Sequence, residues 1–173
     1  MEILLIITLF IAVLSLAGVA VFIAFILPGM LWRAGYPITV PGWQTSLNQE
    51  PPFDATLADM GSALSSFVLL AADVKGYDKT ALTDKLNNLK ILWVPSESKD
   101  KRFIIDKFGR SIAGDHTGDL IRVVYLESDK IGNTAFFHEL GHEAHELEDK
   151  IDMAHEDKDM WNNIVMPLRG NFS

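Results

Sequence analysis

His138-Glu139-Leu140-Gly141-His142 places two imidazoles four residues apart, with a carboxylate beside the first. On an α-helix, residues at i and i+4 lie one turn apart on the same face. Both imidazoles can then reach a single Zn2+ ion at ~2.0–2.1 Å, the usual zinc–nitrogen distance. Glu139 lies one residue along, next to the position such a metal leaves open. A carboxylate there can take a proton from an attacking water and hand it to a leaving amine. The spacing therefore suggests metal-assisted hydrolysis, with His138 and His142 as ligands and Glu139 as general base.

Two histidines on one rail do not complete such a site. His145 and Asp149 share the face of His138, but a straight helix rises 1.5 Å per residue. Asp149 is then too far along the axis, and His145 crowds the pair from the same side. A third ligand has to approach from another direction, after a turn. His155 meets that need if the chain reverses near Asp152. Glu148, Asp149 and Asp152 stand as alternatives, followed by His145 and Glu156. If the chain instead ran straight on as helix, His155 would lie about 20 Å along the axis from His142.

The motif needs elements to hold it. Leu120 to Leu126, LIRVVYL, reads as a strand, and a short turn follows. Asn133 or Thr134 can cap the motif helix, which the pattern extends to about Lys150. A break near Ile151 to Asp152 then leads into a further helix carrying His155 and Trp161. Upstream, Leu57 to Asp73 and Lys79 to Leu89 read as helices, the second from Leu82, Leu86 and Leu89 at helical spacing. Ile91 to Val94 reads as a buried strand ended by Pro95. Ser96 to Arg102 is a charged turn, Phe103 to Ile105 a short strand, and glycine-dotted Gly109 to Gly118 a loop or hairpin. The expected class is α+β, a small sheet packed on the motif helix and further helices.

The first 30 residues differ from the rest. Ile3 to Leu27 contains no charged residue, and as a helix would span ~37 Å, enough to cross a bilayer core. No basic region precedes it, and it is longer than the core of a cleaved signal. Residues 1–30 are therefore expected to form a single transmembrane anchor in a lipid bilayer. Arg33, just beyond it, points to a cytoplasmic C-terminal domain by the positive-inside rule. Residues 31–56, broken by Pro37, Pro41-Gly42 and Pro51-Pro52, read as a juxtamembrane connector. The net charge is -8, and eight acids fall between Glu143 and Asp159. Such a surface does not attract phosphate, so no nucleic-acid partner is expected. Cysteine is absent, which excludes thiolate ligands and a disulfide-stapled fold.

HELGH resembles the motif of the zincin metallopeptidases. The placing of His155, 13 residues after His142 with Trp161 behind it, is similar to that in the SprT-like and WLM peptidases. The chain departs from that pattern at Glu156, where a glycine usually follows the third histidine. It also lacks the basic surface of the DNA-repair members. The resemblance covers Leu120 to Trp161 and implies a minimal zincin-like domain over residues 57–173. It implies a zinc-dependent endopeptidase acting on a protein or peptide substrate. LIRVVYL would then be the edge strand that holds an extended peptide. His145, Tyr125 and His116 are candidate donors to the oxyanion. The alternative expectation is an anchored interaction domain that is not catalytic, its zinc structural and closed by a fourth protein ligand.

Overall fold

The computed structural model describes residues 35–51, 55–97, 111–126, 129–147 and 155–173. The expected anchor, the expected strand Phe103 to Ile105 and the expected break at Ile151 to Asp152 lie outside these. Tyr36–Ser173 forms one compact unit.

Two short strands open it, β1 (Ile38–Thr39) and β2 (Ser46–Leu47). Helices α1 (Leu57–Lys75) and α2 (Lys79–Asn87) follow, then β3 (Lys90–Pro95), β4 (Gly114–Thr117) and β5 (Leu120–Tyr125). A 3-10 turn (Ile131–Asn133) leads into α3 (Phe136–Glu146), and a wide π-helical segment (Met160–Val165) runs into α4 (Met166–Asn171). Among the described residues the class is α+β, four α-helices with a mixed five-stranded sheet.

Helix α1 starts where Thr56 accepts a bond from the Asp59 amide at 3.2 Å while the Asp59 carboxylate accepts one from the Thr56 amide at 2.7 Å. This reciprocal cap satisfies two donors that a helix start leaves over. Gly76, at φ +72°, ends the helix in the left-handed region that a side chain disfavours. Met60, Ala63, Leu64, Phe67, Val68 and Ala71 form a buried stripe at helical spacing. By length and composition alone α1 could cross a bilayer, yet this stripe lies in the core of the folded unit. Asp78 caps α2 by accepting from the Ala81 amide at 2.8 Å, and Leu82 and Leu86 face inward.

The strand order is β1-β2-β3-β5-β4. Strand β3 runs parallel to both β2 and β5, and β4 pairs antiparallel with β5. Alternate residues of β5 are buried, Ile121, Val123 and Tyr125, so one face of the sheet meets the core. Trp93, Phe67, Phe136 and Phe137 are its largest fully buried side chains.

Two expectations are corrected. Residues 36–51 are not an irregular connector: Val40, Thr45 and Leu47 are buried, and the segment pairs into the sheet. Its strands are only two residues long, too short to show alternation. The Asn48 side chain extends the pairing, accepting from the Trp93 amide at 2.8 Å and donating to the Trp93 carbonyl at 3.2 Å. LIRVVY is also not the edge. It lies between β3 and β4, and β4 is the last strand among the described residues. A strand of mostly apolar residues gains from a partner on each side, whereas Gly-Asp-His-Thr tolerates an edge.

Phe67→Ala empties a site wholly inside the core. It is expected to lower unfolding free energy by about 3–5 kcal/mol, read from the denaturant midpoint.

Candidate metal centre

Helix α3 carries the motif because one side of it is apolar. Phe136, Phe137, Leu140 and Ala144 are fully buried. The helix begins one or two residues later than the expected caps, with Ala135 at the cap position. The Thr134 hydroxyl still accepts from the Phe136 amide at 3.2 Å while donating to the Ile131 carbonyl at 2.7 Å. The α-helix ends at Glu146, short of Lys150.

His138, His142 and His155 come together. The Nε2 atoms of His138 and His142 are 3.0 Å apart, and those of His138 and His155 are 3.4 Å apart. One ring nitrogen from each lies within 4.8 Å of the others. Four ligands at tetrahedral angles and ~2.0–2.1 Å from a metal lie about 3.4 Å from one another. A ring N–H can satisfy one neighbour, not a cluster of three, so converging imidazole lone pairs suit a cation. Burial, then the neighbouring histidines, push the His142 imidazole down to about 3. Burial also lowers His138. Both rings are thereby neutral donors near pH 7, the form a metal requires.

Trp161 backs this cluster. Its ring stacks on His138, with centroids 4.6 Å apart and planes 19° apart. The indole also lies over Gly141, where an added Cβ would stand 2.8 Å from the ring. The glycine inside HELGH is thus a packing requirement: it lets the segment after the turn close onto α3.

His145 holds that segment in place. Its Nδ1 meets the Gly141 carbonyl at 2.7 Å and its Nε2 meets Asp157 at 3.0 Å. Both ring nitrogens thus meet protein oxygens, and His145 is not among the three converging histidines. Asp157 also pairs with Lys75 at the end of α1, at 2.7 Å, and accepts from the Met160 amide at 3.1 Å. Burial raises the Asp157 carboxyl, but Lys75, the Met160 amide and His145 outweigh it and leave it lowered to about 2. Of the other ligand candidates, Glu156 is exposed beside His155. Glu148, Asp149 and Asp152 lie outside the described residues.

Glu139 is 4 % exposed and stands beside the cluster. One carboxylate oxygen is 3.5 Å from His116 Nδ1. The other lies against Gly114, where a Cβ would be 2.8 Å away. His116 also stacks on His142, with centroids 4.9 Å apart, and its Nε2 is 3.5 Å from Glu146. The contact with Glu139 raises the His116 pKa most, against burial. His116, one of the oxyanion candidates, thus neighbours the expected base. Tyr125 does not: its ring packs edge-on to Trp93 in the core, and its hydroxyl accepts from Gln49 at 3.1 Å.

Sequence reasoning missed the charges behind α3. Lys85 of α2 reaches Glu146 at 2.6 Å and buried Glu143 at 3.0 Å. Burial pushes Glu143 up to about 7 in spite of Lys85. No local signal in the sequence marks this trio, since Lys85 lies 61 residues from Glu146.

The cluster opens onto a cleft of about 460 Å³ lined by Gly114, Asp115, His116, His138, Glu139, His142 and His155. A second cleft, about 400 Å³, adjoins it through Gly114, His138 and Glu139 and extends past Asn133 to Arg169.

Gly141→Ala should force Trp161 away and cost about 1–3 kcal/mol, seen as a lower melting temperature. Asp157→Asn should loosen the His155 segment and weaken metal affinity on the order of tenfold or more, measured by competition with a chelator. Comparison with known families, with curated proteins and with solved structures gave no match.

Proposed function

We propose that this chain is a membrane-anchored zinc endopeptidase with a minimal zincin-like domain. One observation carries the reading: three imidazole nitrogens converge beside a nearly buried glutamate at an open cleft. His138, His142 and His155 would hold Zn2+, and three protein ligands leave a fourth position for substrate chemistry. A bound zinc ion supplies Lewis acidity toward the scissile carbonyl and makes water a stronger acid.

The protein's own groups do the rest. Glu139 takes the proton of the attacking water on a carboxylate oxygen and delivers it to the leaving amine nitrogen. His116 fixes one oxygen of that carboxylate, leaving the oxygen beside Gly114 to face the cleft. Strand β4 lines the same cleft, so an extended peptide would pair along β4 rather than along LIRVVY. The apolar stretch Ile3 to Leu27 would hold the enzyme at a bilayer, with its folded unit on the cytoplasmic side.

Glu139→Gln should keep zinc and lose about 10²–10⁴-fold in peptide cleavage. His155→Ala should lose most of the zinc. Metal analysis paired with cleavage of casein or a peptide library measures both. Equal cleavage by wild type and Glu139→Gln would remove the base role. Full zinc occupancy in wild type with no cleavage of any peptide would favour a structural site.

A further inference from the structure

The second cleft has a different chemistry from the first. At its far end stands Arg169 of α4, half-buried and fixed from behind. Its Nε donates to the Gly132 carbonyl at 2.9 Å, and its own carbonyl accepts from the Ser173 hydroxyl. The Gly132 amide in turn donates to the Phe172 carbonyl at 3.0 Å. A Cβ at Gly132 would collide with the Arg169 carbonyl. Glycine therefore permits the close approach that plants this arginine in the cleft wall.

Among the described residues no carboxylate pairs with the Arg169 guanidinium. That is notable in a chain of net charge -8. The other ionisable groups lining this cleft are His138 and Glu139, both at its metal end. A half-buried guanidinium bonded through Nε alone keeps two amino groups for a further acceptor. Its planar fork matches a carboxylate in two parallel hydrogen bonds.

Orientation follows from proton transfer. Glu139 must lie near the leaving nitrogen to protonate it, so the leaving fragment occupies the Glu139 side of the metal cluster. The Arg169 cleft opens on that side, since it shares Glu139 but neither His142 nor His155.

We propose that Arg169 is the specificity group of a leaving-side subsite that takes a substrate carboxylate. The inference rests on the endopeptidase reading for its direction along the peptide. The carboxylate has two possible sources, an acidic side chain just after the scissile bond or the free C-terminus of a short leaving fragment.

The full chain in detergent micelles is tested with three peptide sets: C-terminally amidated peptides with Glu on the leaving side, amidated peptides with Gln there, and the Gln peptides with a free C-terminus. Binding to Glu139→Gln is read by fluorescence anisotropy, and wild-type cleavage sites are mapped by mass spectrometry. Carboxylate peptides should bind about tenfold tighter or more than neutral ones. Preference for the first set assigns a side chain, and preference for the third assigns the C-terminus. Arg169→Gln should abolish the preference. Arg169→Glu should turn it toward Lys, a gain that misfolding cannot produce. Cleavage without acid preference, unchanged by Arg169→Gln, would overturn the subsite and leave the peptidase. Arg169-dependent binding without cleavage would uphold the carboxylate site and defeat the peptidase. Absence of both overturns both.

Discussion

Asp157 is the joint on which the site depends. One carboxylate ties the end of α1 through Lys75, the motif helix through His145, and the start of the following helical segment through the Met160 amide. Helix α3 alone presents two imidazoles on one rail, and a rail cannot surround an ion. The third has to be brought back across a turn and held. A half-buried carboxylate with three partners does this better than an exposed pair, because solvent screens it less. The Trp161 ring seals the same junction from the apolar side. It stacks on His138 and presses on Gly141, so packing and charge fix the same segment.

A second line of charge runs along the neighbouring face of α3. Lys85 holds Glu146, Glu146 neighbours His116, and His116 neighbours Glu139. The carboxylate beside the histidine cluster is thereby linked, group by group, to a cation on α2. Burial works against the Lys85 ammonium, yet Glu146 and Glu143 outweigh it and raise its pKa. Burial alone would lower the Lys85 pKa, and the two carboxylates reverse that. The acids that make the stretch after Glu143 look like a plain solvated face include two that face inward onto Lys85.

The sequence is most legible where the relevant period is local. His138, Glu139 and His142 can be placed on one helical face from their spacing alone. The need for a returning ligand follows from helix rise, and Trp161 behind His155 hints at the closure. Other features depend on contacts that no local pattern encodes. Lys75 and Lys85 sit on helices distant in sequence. His116 looks like a turn residue in Gly-Asp-His-Thr-Gly-Asp until β4 pairs with β5 and turns it toward Glu139. Gly114 reads as a loop or hairpin glycine and Gly132 as part of a helix start, yet each is needed because another group occupies the place of its side chain. Strands β1 and β2 are hidden for a simpler reason, since two residues show no alternation.

The strand order has a consequence for how the chain can vary. Residue 36 joins the fold next to β1, at one margin of the sheet, whereas the cleft lies along β4 at the other. Four inter-strand steps of about 4.8 Å separate them, about 19 Å in all. The walls of both clefts are drawn from Ile112 onward, and none belongs to β1 or β2. Residues 38–47 can therefore vary without touching the walls of either cleft.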